Sequence, residues 1–258
     1  MRDSRWRRLA IISAMFLFHG CAAKEEPATP EKQPGPAASA AFNPADGTAG
    51  VAGTAILAGA PPSRSELRMH ADPVCVASQK GPVYSEEVLV EGGRLANVFV
   101  YVKEGLEKYT FVPPAEPAAL TQEGCRYHPH VSGIMTNQTL RIVNNDPTMH
   151  NIHCWAALNT RFNIGQPVQG MEAVRTFPRP EVMIRFACDV HKWMTCYVGV
   201  VAHPYFAVTG RDGAFSLKGL PPGVYLIEAW HEKYGTKADR VVLHGEEIRS
   251  VQFTFGTS

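Results

Sequence analysis

The 258-residue sequence has almost no charge excess, with 25 Lys and Arg against 24 Asp and Glu and a formal net charge of +1. Without residues 1–20, which hold four Arg and one Asp, the charge passes from +1 to about −2,. Near balance removes the electrostatic basis for nucleic-acid binding. Long apolar runs are also missing: residues 9–18 are the candidate, and they are too short to span a bilayer. No stretch reads as an amphipathic helix longer than two turns, which disfavours a helical bundle. There is no Cys-x-x-Cys-His for covalent haem, no phosphate-cradling glycine loop and no Ser-His-Asp signature.

What is present begins with a targeting segment. Arg2, Arg5, Arg7 and Arg8 form a basic region ahead of the apolar run, followed by Gly20-Cys21 and a polar tract. This resembles a bacterial lipoprotein signal, in which residues 1–20 are removed and Cys21 is lipidated, although Phe18 and His19 depart from the usual box. An ordinary secretory signal is the alternative, and both readings place the protein outside the cytoplasm, in the periplasm or at the cell surface. Residues 21–47 are rich in Ala, Pro, Glu and Lys and bury too little apolar surface to offset ordering entropy, so a disordered tether is expected.

From Thr48 the pattern is that of strands. Residues 51–57 lead into a Gly-Ala-Pro-Pro turn, and residues 87–90 and 97–102 flank Gly92-Gly93 as an expected hairpin. Residues 76–84 carry no clear pattern, and Pro113-Pro114 marks a break. Residues 139–143 alternate, with Leu140 and Ile142 on one face; residues 182–186 and 197–202 read as two further strands. Residues 205–230 follow the order strand, Arg-Asp-Gly turn, strand, Leu-Pro-Pro-Gly turn, strand, which predicts an antiparallel meander.

One loop concentrates the chemistry. Cys188, His191 and Met194 stand three residues apart between two strands, a pattern expected about 0.007 times in a chain of this composition. A thiolate, an imidazole and a thioether form a soft donor set that suits copper rather than magnesium or calcium. A second imidazole is available upstream at His150, where a strand-like run ends in Asn144-Asn145-Asp146.

The pair of segments resembles the cupredoxins, and amicyanin above all: His150-Asn151 at a strand end, then Cys188, His191 and Met194 on the last loop. The resemblance covers roughly residues 118–203. It implies a Greek-key sandwich with one mononuclear type 1 copper cycling between Cu(I) and Cu(II). His150, Cys188 and His191 would be strong ligands, Met194 the axial one, and Asn151 a hydrogen-bonding link to the Cys loop. With no coordination position open for substrate, a non-enzymatic electron carrier is expected. Lys192 and Trp193, between two ligands, would offer surface to a redox partner such as a c-type cytochrome or a periplasmic oxidoreductase. His128 and His130 offer at most a second, weak metal site, and His153 reads as an ordinary core or surface histidine.

With Cys21 given to lipid and Cys188 to copper, four cysteines remain, enough for two disulfides in an oxidising compartment. Three pairings are open. Cys154 with Cys196 is favoured because each follows a proposed ligand by a few residues, which leaves Cys75 with Cys125; an extra metal-ligand role for Cys154 or Cys196 is the alternative. The phrase Leu220-Pro221-Pro222-Gly223-Val224-Tyr225 resembles the carboxypeptidase regulatory-like family, a transthyretin-like sandwich. The expected fold is therefore all-β: a cupredoxin domain over 117–203 inserted between the halves, 48–110 and 204–258, of a second, smaller sandwich, with a simpler tandem arrangement as the alternative. A copper storage or delivery protein, or a structural surface module with an incidental copper site, are the other functions that these residues allow.

Overall fold

A computed structural model describes residues 40–256. Cys21, the signal segment and the first part of the expected tether lie outside the described residues. The chain is all-β, with one short α-helix, Pro73–Ala77, and a single 3-10 turn among the described residues.

Two sheet pairs divide the strands. One pair is built from both ends of the described chain. Its first sheet runs Phe206–Val208, Phe99–Glu104, Gly223–His231, Gly235–Leu243; its second contains Ala214–Leu220, Ala49–Leu57, Arg94–Leu95 and Val90–Glu91, with Ile248–Phe255 parallel to Ala49–Leu57. The other pair uses only the middle. Its sheets run Glu172–Arg175, Leu140–Asn144, Ala118–Gln122, Tyr127–His128 and Phe162–Gln166, His150–Cys154, Glu181–Ala187, Thr195–Val201, Val131–Met135. The alternation of residues 140–143 works as a strand pattern should: Leu140 and Ile142 are buried while Arg141 is exposed,.

Two expectations about pairing are corrected. Gly92 and Gly93 do turn a hairpin, both at positive φ (54° and 79°), but it joins only Val90–Glu91 to Arg94–Leu95. The chain then breaks at Asn97 (φ 59°) and Phe99–Glu104 enters the opposite sheet. The C-terminal strands do not form a meander either. Ala214–Leu220 pairs with Ala49–Leu57, whereas the strands before and after it pair with Phe99–Glu104. The turn residues mark chain reversals correctly, but each reversal carries the chain from one sheet to the other.

Each sheet pair encloses its own apolar core. Residues near 67–79 depart from the expected 48–110 grouping: Met69 and Cys75 pack into the core of the middle sandwich. Between the sandwiches lies a third cluster centred on Phe99, Tyr101, Val131 and Val201, with Trp230 packed on Tyr197 at a ring separation of 5.0 Å. Two glycines make room for it. Gly199 and Gly133 are register partners on adjacent strands, and a Cβ on either would stand 2.6 Å from the Phe99 ring.

Candidate metal centre

The site forms where strands of the middle sandwich end. His150 opens the His150–Cys154 strand and Cys188 follows the neighbouring Glu181–Ala187 strand; antiparallel pairing of His153 with Ala187 puts both at one end of the sheet. The loop from Cys188 folds back on itself. The Met194 amide donates to the His191 carbonyl (2.9 Å) and the Cys188 amide to the Met194 carbonyl (3.1 Å). His150, Cys188, His191 and Met194 are exposed by only 0%, 2%, 2% and 1%.

Three of these residues converge: one donor atom each from His150, Cys188 and His191 lie within 4.8 Å of one another, a group that could hold a metal ion. The two Nδ1 atoms are 2.9 Å apart, and His191 Nδ1 is 3.9 Å from Cys188 Sγ. Met194 is on the same loop and belongs to the same buried cluster as Cys188. Asn151 ties the two ligand segments together. Its Oδ1 accepts from the Asp189 amide at 2.6 Å and from the Cys188 thiol at 3.2 Å.

Two carboxylates that the sequence did not single out stand behind the imidazoles. His150 Nε2 lies 2.9 Å from Asp146 Oδ2, and His191 Nε2 lies 2.9 Å from Asp72 Oδ2. Ionised carboxylates only accept, so each Nε2 carries its proton. The inward pair of Nδ1 atoms must then share one hydrogen. Burial disfavours charge on His150, but the Asp146 hydrogen bond and the Cys188 sulfur outweigh it and raise its pKa to about 9. Burial lowers the pKa of His191, against the pull of Asp72 and with the charge of His150. Burial raises the Cys188 pKa, but hydrogen bonds from His150 and nearby backbone amides prevail and the thiol is held below its ordinary value.

The remaining predicted residues separate clearly. Cys75 and Cys125 are joined in a disulfide. The expected Cys154–Cys196 bond is corrected: both thiols are free, as is that of Cys188. Cys154 and Cys196 are both register partners of Phe186, one on each side of the strand between them. Two strand spacings amount to ~9–10 Å, beyond the roughly 7 Å limit for bridged Cα atoms. Neither joins a metal-holding group. Trp193 is partly exposed; its indole N–H donates to the Cys125 carbonyl at 3.0 Å, and its ring lies 5.0 Å from that of His191. Lys192 is exposed. His128 and His130 diverge, the first toward the Glu123 carbonyl and the second toward Glu232 in the other sandwich. His153 meets Asp189 and stacks on Trp155. Nothing local marks Asp72; Asp146 could have been suspected from its place four residues before His150.

Among the described residues no helix is long and apolar enough to cross a membrane. No family model matches the chain and no curated protein matches it. Solved structures with partial likeness include a mutant of amicyanin in its Cu(I) form, at 16% identity and TM-score 0.29 over 33% of this chain and 81% of that one. A purple cupredoxin from Nitrosopumilus maritimus is similar at 20% identity and TM-score 0.28, over 32% of this chain and 98% of that one. A copper-containing nitrite reductase from Thermus scotoductus is similar at 15% identity and TM-score 0.31, over 57% of this chain and 28% of that one.

Proposed function

We propose that the chain is an extracytoplasmic type 1 copper protein that carries single electrons between redox partners. The observation that carries this reading is the inward-facing donor set: two imidazole Nδ1 atoms 2.9 Å apart and the Cys188 sulfur beside them, all buried. A shared proton accounts for that approach in the metal-free chain, and a metal cation beside the Cys188 sulfur would take its place,. Nitrogen, thiolate and thioether donors fit copper better than an oxygen-seeking ion. Copper bound there would supply a one-electron couple. His150, Cys188 and His191 would hold it, with Met194 as the weaker donor, and the surrounding core would exclude water from it.

Burial also bears on the alternatives. A storage or delivery protein needs its metal to leave readily, whereas these ligands lie beneath a covalently fastened segment. The second sandwich, with its transthyretin-like turn phrase, is proposed as a non-catalytic module. The lipid anchor at Cys21 and a c-type cytochrome or periplasmic oxidoreductase as partner are parts of the same proposal.

The test uses residues 22–258 with the disulfide formed and one equivalent of Cu(II). An intense visible thiolate-to-copper band is expected, absent in Cys188→Ser and reversibly bleached by a one-electron reductant. Weak bands of an ordinary tetragonal site would overturn the type 1 assignment.

A further inference from the structure

The carboxylates behind the two imidazoles are not isolated. Asp146 accepts from the backbone amides of Gly124 (2.7 Å) and Cys125 (2.8 Å). Asp72 caps the short helix Pro73–Ala77, accepting from the amides of Val74 (2.8 Å) and Cys75 (3.4 Å), and its other oxygen accepts from the Thr148 hydroxyl (2.9 Å). Cys75 and Cys125 are the two halves of the disulfide, and Cys75 Sγ lies 3.6 Å from His191 Nε2. A closed frame results: His150, Asp146, Cys125, Cys75, Asp72, His191 and back to His150. The frame spans chain positions 119 residues apart, from Asp72 to His191.

We propose that Asp72 and Asp146 are positioning residues of the metal centre, and that the Cys75–Cys125 disulfide holds Asp72 against His191. The inference rests on the reading of the site as a metal centre and adds what fixes its two imidazoles. A carboxylate on Nε2 selects the tautomer that leaves Nδ1 free to bind, orients the ring and makes it a stronger donor. Two fixed negative charges near the ion also favour the more highly charged member of a redox couple. Without the disulfide, the segment carrying Asp72 would be held on the middle sandwich by packing of Leu67, Met69 and Val83 and by hydrogen bonds such as Gln79 to the Gly124 carbonyl (2.9 Å).

The substitutions separate geometry from charge. Asn at either position retains an oxygen that can accept from Nε2–H but removes the charge; Ala removes both. Asp72 is the safer position, because it lies on the covering segment and its side chain is partly exposed. In the full chain, Asp72→Ala should weaken copper binding by about 10–100-fold, while Asp72→Asn should retain most affinity and shift the couple toward Cu(I). Asp146→Asn should shift it in the same direction.

Nitrogen NMR of the histidine rings supplies a readout independent of copper. In metal-free protein His191 should carry its proton on Nε2, and should lose that preference in Asp72→Ala and in the double variant Cys75→Ser, Cys125→Ser. Unchanged ring tautomer, affinity and potential in both Asp72 variants would overturn the positioning role. Retention of the Nε2 tautomer in the double serine variant would overturn the part given to the disulfide. If wild type and Cys188→Ser bind copper equally weakly, the metal-centre reading itself fails, while the ring measurement still decides whether Asp72 positions His191.

Discussion

Both sandwiches bury histidines, and they treat them in opposite ways. In the middle sandwich His150 and His191 each face a carboxylate at 2.9 Å. In the other, His203 gives its Nε2 hydrogen to the Val102 carbonyl and accepts the Tyr205 amide at Nδ1, and His231 stacks on Tyr234 with no partner for Nε2. Burial lowers the pKa of both His203 and His231 to about 4, and the nearby acidic groups do not reverse it. Against the lowering by burial, Asp146 and the Cys188 sulfur raise His150 to about 9, while Asp72 does not reverse it for His191; in both, a fixed carboxylate makes the buried imidazole part of a polar site,. Burial alone therefore says little about a histidine's role; the group behind it decides.

The sharpest way to break this comparison is to remove a carboxylate from one sandwich and a histidine from the other. Asp146→Ala strips His150 of its counter-charge and two backbone amides of their acceptor, and should cost about 3–5 kcal/mol. His231→Phe removes Nε2, which has no partner, and Nδ1, which accepts the Lys233 amide at 3.1 Å, and should cost only about 0.5–1.5 kcal/mol,. Urea denaturation of both variants checks the contrast; equal losses would mean that the carboxylate frame is no more demanding than ordinary core packing.

The boundary between the sandwiches is next in size. Gly199→Ala puts a Cβ 2.6 Å from the fully buried Phe99 ring, and Gly133→Ala does the same from the adjacent strand. Either should cost about 1–3 kcal/mol through overpacking. If Phe99→Leu in the Gly199→Ala background restores the urea midpoint, the clash is the cause.

Acid should separate the two regions with a smaller, graded effect. His203 and His231 have folded pKa values near 4, below the ordinary 6.5. Between those values the unfolded chain binds more protons than the folded one, so stability is full above about 6.5 and falls as the pH drops toward about 4, by up to a few kcal/mol. Asp72 and Asp146 are held below their ordinary value of 3.8, so their contribution is lost only in stronger acid. His130 runs the other way. Burial opposes its charge, but Glu232 raises its pKa, so this contact across the sandwich boundary stabilises below about 6.5 and weakens as the pH rises through the folded value,. Thermal melts of wild type and His231→Phe from pH 7 to pH 4 should show a shallower decline in the variant.

Much of the all-β layout was legible because strand alternation and turn chemistry are local. The residues around Leu140, Gly92-Gly93 and Asp212-Gly213 announce their elements within a few positions. Strand pairing was less legible, since a turn marks where the chain reverses but not which sheet receives the next strand. The cysteines illustrate the same limit. Cys154 and Cys196 each lie close in sequence to a candidate ligand, yet both flank Phe186 from opposite sides and cannot bond.

The sequence by itself determined the donor types and the tight Cys188–His191–Met194 spacing, because groups on one short loop are bound together by the backbone that carries them. It also placed His150-Asn151 at a strand end, where Asn151 can reach the Cys loop. Only the tertiary structure decided that Asp72 and Asp146 stand behind the imidazoles and that the Cys75–Cys125 disulfide joins their supports. Those contacts link segments up to 119 residues apart. They arise because the residues around 67–79 leave one sandwich and pack on the other, a choice made by total burial and polar pairing rather than by any local pattern,.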